Sequence, residues 1–122
     1  MRVIKAAEMT SGGEEGGPDR FSGQVSLHAV ARVQQAPGVA VVRFENGARN
    51  HWHTHEGGQV LYVMSGRGRV QEEGGEVVEL EAGDFVVAEP DEKHWHGAAP
   101  GTDMAHISVA GGAVEWFAPV ED

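Results

Sequence analysis

The chain spends three of its seven histidines on five residues, in HWHTHEGGQ at positions 51 to 59. In an extended chain, residues two apart project to the same side, so His51, His53 and His55 share one face of a regular strand and Trp52 and Thr54 the other. Imidazoles two apart can reach one cation from adjacent rungs, because nitrogen–metal bonds of about 2.0–2.2 Å need that convergence. Gly57 and Gly58 let the chain turn sharply, which brings Gln59 and its neutral side-chain oxygen back beside His53 and His55. A second cluster, KHWHG (93–97), puts His94 and His96 two apart again, and His106 stands among alternating apolar neighbours in MAHISVA (104–110).

A single His-x-His pair is more often a polar strand face than a metal site. Two such pairs with a glutamine favour a metal, with spacing alone leaving His51 open as a ligand. His28 stands by itself and is expected to do nothing. The tryptophans are expected in the core or an interface, with Trp52 and Trp95 facing away from the histidines between which they sit. Arg43 and Arg49 flank the first cluster; Arg49 is a candidate anchor for a carboxylate, although an exposed salt bridge is the commoner role.

The elements that must position these groups are short strands. FSGQVSLHAVARV (21–33) reads as one or two strands and VAVVRFE (39–45) as another by its β-branched content, ending in the turn NGA (46–48). QVLYVM (59–64), GRVQEE (68–73), EVVEL (76–80), DFVVAE (84–89), HWHGA, MAHISVA and AVEWF (113–117) follow, each bounded by glycine or an acid–glycine pair. Gly74-Gly75 predicts a two-residue hairpin, and EAGD (81–84) another tight turn. The stretch 12–19, GGEEGGPD, reads as a flexible loop. No run of ten or more residues has the 3.6 periodicity of a helix. The reading is one all-β domain over 1–122, a sandwich or closed barrel, since a sheet of this size must close or pair to protect its edges.

Composition narrows the function. A formal net charge of −10 opposes binding to nucleic acid or an anionic membrane, because both are polyanions. The absence of cysteine excludes disulfides and thiolate metal sites. No stretch reaches the roughly 20 apolar residues of a membrane span, and MRVIKAAEMTSGG has no signal-peptide core, so a cytoplasmic location is expected.

At the histidine motifs the sequence resembles the small single-domain cupins. Gly47, five residues, His53-Thr54-His55, three residues, Gln59, six residues and Gly66 reproduce the spacing of the first cupin motif. Gly83 and His94 keep the separation of the second, in which Glu89 stands for the inner proline, Asp91 for the inner glycine and Ala98 for the final asparagine. The resemblance covers about residues 39–110 and implies a jelly-roll β-barrel around a divalent metal. It assigns His53, His55, Gln59 and His94 as ligands, which leaves His51 out. Small cupins commonly pair as dimers by exchanging terminal strands, for which MRVIK and VEWFAPV are the candidates, and a homodimer or homotetramer is expected. GARNHWHTHEGGQVLYV with EKHWHGAAPGTDMAHISVA is similar to the bacterial manganese-dependent cupin hydroxynitrile lyases, which cleave or form cyanohydrins of aromatic aldehydes.

The usual cupin ligand at position 59 is glutamate. A neutral glutamine leaves the metal its full charge, which favours Lewis-acid over redox chemistry. The donor set suits Mn, Fe, Ni, Co or Zn, and the narrower resemblance points to manganese. Affinity is expected to fall below about pH 6, where protonated imidazoles cannot ligate. His96, two residues past His94, and His106 are the candidate general base and acid. Ala40, Val42, Leu61 and Ala110 are candidates for a small apolar wall around a small-molecule substrate. Two rival functions use the same residues: a dioxygenase with iron or nickel, and a non-enzymatic cupin that binds or senses a small ligand.

Overall fold

The computed structural model describes residues 4–9, 12–31 and 37–121. Residues 1–3 of MRVIK and the end of the ARV run at 32–33 lie outside them. The described residues form a short 3-10 turn at Ala6–Met9 and twelve strands. These are β1 (Glu14–Glu15), β2 (Phe21–Ser22), β3 (Val25–Ala31), β4 (Gly38–Phe44), β5 (Arg49–Asn50), β6 (His53–His55), β7 (Gln59–Glu72), β8 (Val78–Glu81), β9 (Phe85–Ala88), β10 (His94–Ala98), β11 (Met104–Ala110) and β12 (Val114–Trp116).

The strands follow the order β1-β3-β4-β11-β7-β10-β5-β2, with β8 and β9 added on β7 and with β6 between β10 and β12. β7 is the hinge of this curled sheet. Its first half pairs with β11 and β9, and its second half with β10 and β8. QVLYVM and GRVQEE, expected as two strands, are therefore one. Gly66 makes this geometry accessible: its φ is 78°, and a Cβ there would collide with the Asp103 carbonyl oxygen, so the chain bends between sheets without breaking. The register against β11 also slips between Ala105 and His106, a bulge that adds to the bend.

Three other expectations change. Residues 12–19 are not loop throughout, since Glu14 and Glu15 pair with Leu27 and Ser26 and cover the edge of β3 with solvated acids. Gly74-Gly75 does not make a two-residue hairpin: the ladder starts at Val70↔Val78, and of the two glycines only Gly74 has positive φ. Asn46 and Gly47 do take positive φ, 44° and 76°, in the turn expected there. Arg49 is not exposed. It is half-buried, donates to the Val120 carbonyl at 3.1 Å and lies 5.5 Å from the Trp95 ring.

Alternation sorts side chains into two environments. Along β7, Gln59, Leu61 and Val63 are buried, while Val60, Tyr62 and Met64 are exposed. Inward residues from both halves pack one end of the barrel with Phe21, Val25, Val42, Phe44, Val63, Leu80 and Met104. Each large side chain removed from water contributes about 2–3 kcal/mol. The histidines fill the neighbouring layer, and Phe44 joins the two, its ring 5.4 Å from His106 and 6.0 Å from His96.

Candidate metal centre

Two separate segments bring imidazoles together. β6 carries His53 and His55, β10 carries His94 and His96, and the pairing His94↔His53 sets the first residue of one motif against the other. Ring centroids of His53 lie 5.1, 4.5 and 5.3 Å from those of His55, His94 and His96. His106 arrives from β11, its Nε2 3.1 Å from His96 Nδ1. His53, His94, His96 and His106 are at most 3% exposed, His55 9% and Gln59 6%.

His51 does not join them. β5 ends at Asn50 and β6 begins at His53, so the strict alternation that would have aligned His51 is broken. The His51 N–H is instead used by the Arg20 carbonyl, and its own carbonyl accepts from His53 Nδ1 at 2.8 Å. Trp95 turns away from the histidines, as expected, and donates from Nε1 to Gln71 Oε1 at 2.9 Å.

The hydrogen bonds fix which nitrogens keep lone pairs. His53 and His94 each direct Nδ1 to a backbone carbonyl, of His51 and of Glu92, which leaves Nε2 unprotonated in the neutral ring. His94 Nε2 then lies 2.9 Å from Gln59 Oε1, while Gln59 Nε2 donates to Ser108 Oγ at 2.9 Å. Two acceptors face each other across that gap, an arrangement that a cation between them satisfies. The Nδ1 atoms of His55 and His106 are also buried without a hydrogen-bond partner. Within this assembly His53, His94 and His96 form the tightest group, with ligating nitrogens inside 4.8 Å of one another. The residues therefore fit a divalent metal.

Burial sets the charge state. Desolvation lowers the His53 pKa to about 3, with His94 nearby adding to it. It lowers His55 and His106 to about 4, and it also holds His94 down and His96 well below the ordinary imidazole value. All five rings are neutral at pH 7, the form that binds metal or accepts a proton.

Of the apolar residues expected near the site, Ala40 and Leu61 both pair with Ser108, Val42 pairs with His106, and Ala110 pairs with Gln59. They share the inward rows of those residues. Ala110 and Gln59 also line a cavity of about 660 Å³ at the barrel rim. A second cavity of about 300 Å³, lined by Val70, Val78, Val86 and Ala88, ends on His94.

Four residues at the site were not singled out from the sequence. Asn50 accepts from the His96 backbone N–H at 2.8 Å through Oδ1, and its Nδ2 lies beside the His96 ring. Trp116 packs on His53 at 4.8 Å between centroids. Phe44 touches two imidazoles, and Ser108 holds Gln59. Only Ser108 carried a signal, since it is two residues beyond His106 on an alternating strand.

The cupin domain family matches residues 40–110. The chain is a cupin. Over an alignment of 131 positions it is 43% identical to the (R)-mandelonitrile lyase of Granulicella tundricola, covering 100% of this chain and 96% of that protein. A cupin-like protein from Thermotoga maritima superposes with a TM-score of 0.86 at 38% identity, covering 90% of this cupin and 88% of that one. A predicted oxalate decarboxylase from the same organism shares the fold, with a TM-score of 0.78 at 23% identity over 89% and 97% of the two chains.

Proposed function

We propose that this cupin is a metal-dependent lyase that splits a small cyanohydrin into an aldehyde and hydrogen cyanide, and runs the reverse addition. The observation that carries the reading is the buried cluster of His53, His94 and His96, with ligating nitrogens within 4.8 Å of one another, and Gln59 Oε1 2.9 Å from His94 Nε2. The likeness to a mandelonitrile lyase along the whole chain supports the substrate class.

His53, His55, Gln59 and His94 would hold the cation, and manganese is the metal proposed for it. With a neutral amide among its ligands, such a cation would supply Lewis-acid stabilisation to an oxygen of the substrate. His96 and His106 form a hydrogen-bonded pair, neutral at pH 7, beside those ligands. His96 accepts the hydroxyl proton of the cyanohydrin, the carbon–carbon bond to cyanide breaks with its electron pair on cyanide, and the proton leaves as hydrogen cyanide. Asn50 fixes His96 from behind, and Phe44 keeps water from the far side of the pair. Ala40, Leu61 and Ala110 border the space for the organic part of the substrate. Cleavage of mandelonitrile by protein reconstituted with manganese, followed by benzaldehyde absorbance, tests this: the metal-loaded protein exceeds the chelator-treated one, and equal rates refute it.

The outward rows support assembly with a second copy. Val60, Tyr62, Phe85 and Val87 are cross-strand neighbours at 37–67% exposure, and the rows they occupy are uncharged on a chain of net charge −10. Self-association through this face suits such a surface better than a charged partner does. The VEWFAPV segment, the candidate for exchange, lies in this structure on β6 of its own chain.

A further inference from the structure

The cavity of about 300 Å³ that ends on His94 opens inside the barrel, and strand register shows it. Val70 stands opposite the inward His96 and also opposite Val78, Val86 stands opposite the inward Leu61, and Ala88 opposite the inward Gln59. Directly opposed residues of antiparallel strands share a face, so all four apolar side chains point to the interior. Val86 and Ala88 continue the inward rows of Leu61 and Gln59 onto β9, on the side away from Ala40 and Ala110. Val78, 55% exposed, marks the open end.

We propose that this cavity is the specificity pocket of the site, taking an uncharged single-ring substituent of the substrate, with Ala88 as the residue that sets its depth; the substrate class rests on the lyase reading above. Size is the first reason. An apolar cavity of about 150 Å³ is enough to bind benzene, so about 300 Å³ holds one ring with the carbon that bears it. Charge is the second. Glu72, Glu76 and Glu92 line the cavity beside the valines, and no basic residue does so among the described residues. Lys93 is turned aside, its Nζ 3.0 Å from Glu73 and 4.3 Å from the Phe117 ring. An anionic group at the far end of the ring would meet those acids within the Debye length of about 8 Å, and one placed deeper would lie unpaired among apolar side chains. Ala88 sets the depth because its methyl is buried, stands opposite Gln59, and lines both this cavity and the one of about 660 Å³ at the rim. A larger side chain there fills the space next to the ligands and leaves the outer edge open.

The test pairs binding with turnover in the full-length, manganese-loaded protein. Calorimetry measures affinity for benzyl alcohol and for 4-(hydroxymethyl)benzoate, and kcat/KM is compared for mandelonitrile and the aliphatic lactonitrile, a ratio that cancels differences in metal loading. Wild type prefers benzyl alcohol to the carboxylate. Ala88→Leu lowers the mandelonitrile-to-lactonitrile ratio and the benzyl alcohol affinity by about tenfold or more, the scale of one overpacked position. Glu76→Lys, at an exposed position, shifts the affinity ratio toward the carboxylate by about threefold or more. An Ala88→Leu protein that melts as wild type does and keeps both quantities within about twofold overturns the proposal. So does a wild type that binds the carboxylate as tightly as the alcohol. If Ala88→Leu fails to fold, Glu76→Lys decides alone, and an unchanged affinity ratio refutes the pocket. Benzyl alcohol binding that depends on Ala88, in a protein that cleaves neither nitrile, supports the pocket and overturns the lyase reading. Cleavage of mandelonitrile with no effect of Ala88→Leu does the reverse.

Discussion

Mild acid should destabilise the metal-free protein far more than its surface charges would. The perturbation is protonation of imidazoles that the fold buries neutral. The pKa falls on folding from 6.5 to about 3 at His53 and to about 4 at His106. Each folded value lies below the unfolded one, so the unfolded chain binds more protons and stability is lost as pH falls from about 6.5 toward those lower values. At pH 5 protonation stabilises the unfolded chain by about 2 kcal/mol per histidine and the folded chain by almost nothing, whereas at pH 7 the difference is about 0.2 kcal/mol. The two residues together therefore remove about 4 kcal/mol between pH 7 and 5, against a total of about 5–15 kcal/mol for a domain. His55, His94 and His96 are shifted in the same direction. Urea titrations of chelator-treated protein at pH 7, 6 and 5, read by tryptophan fluorescence, measure the loss. His106→Gln should recover about 2 kcal/mol of it. A free energy of unfolding at pH 5 within about 1 kcal/mol of that at pH 7 would show that these rings are not buried as neutral bases.

Three further outcomes are expected. His94→Ala should lower affinity for added divalent metal by about a hundredfold or more, measured as metal retained after dialysis, while His28→Ala should leave it unchanged. Gly66→Ala should cost about 2 kcal/mol or more, because φ there is 78° and the new methyl meets the Asp103 carbonyl, whereas Asp91→Gly should add about 1 kcal/mol by relieving a φ of 62°; both are read from thermal melts. Phe85→Glu combined with Val87→Glu should convert a dimer to a monomer in size-exclusion chromatography with light scattering, since these side chains stand 67% and 63% exposed in one chain.

The Asp91 backbone shows how far a spacing argument reaches. The cupin pattern has glycine at this position, and the chain keeps the left-handed conformation, φ 62°, although the residue is aspartate. The Asp91 N–H donates to the His55 carbonyl at 2.9 Å, so the turn before β10 is tied to β6 and carries His94 toward His55. The geometry survives the substitution because aspartate tolerates positive φ better than most residues. The twelve-strand layout was less legible. Hairpin chemistry at Gly74-Gly75 misjudged a longer loop, and Gly66 read as a strand end when it is a bend inside one.

The sequence alone determined the strand-rich class, the inward pairing of alternate residues and the set of side chains able to ligate, because period-two alternation and residue chemistry are local properties. His53 with His55, and His94 with His96, follow from nothing more. Tertiary structure decided the rest. The break between β5 and β6 removed His51. The register of β10 on β6 and β7 brought His94 against His53. Closure of the sheet then delivered Ser108 to Gln59, Asn50 to His96 and Trp116 to His53, each partner tens of residues away in the chain. Those contacts arise from pairing between distant strands, and the same closure excludes the water that would otherwise let His53, His55, His94, His96 and His106 keep their ordinary pKa.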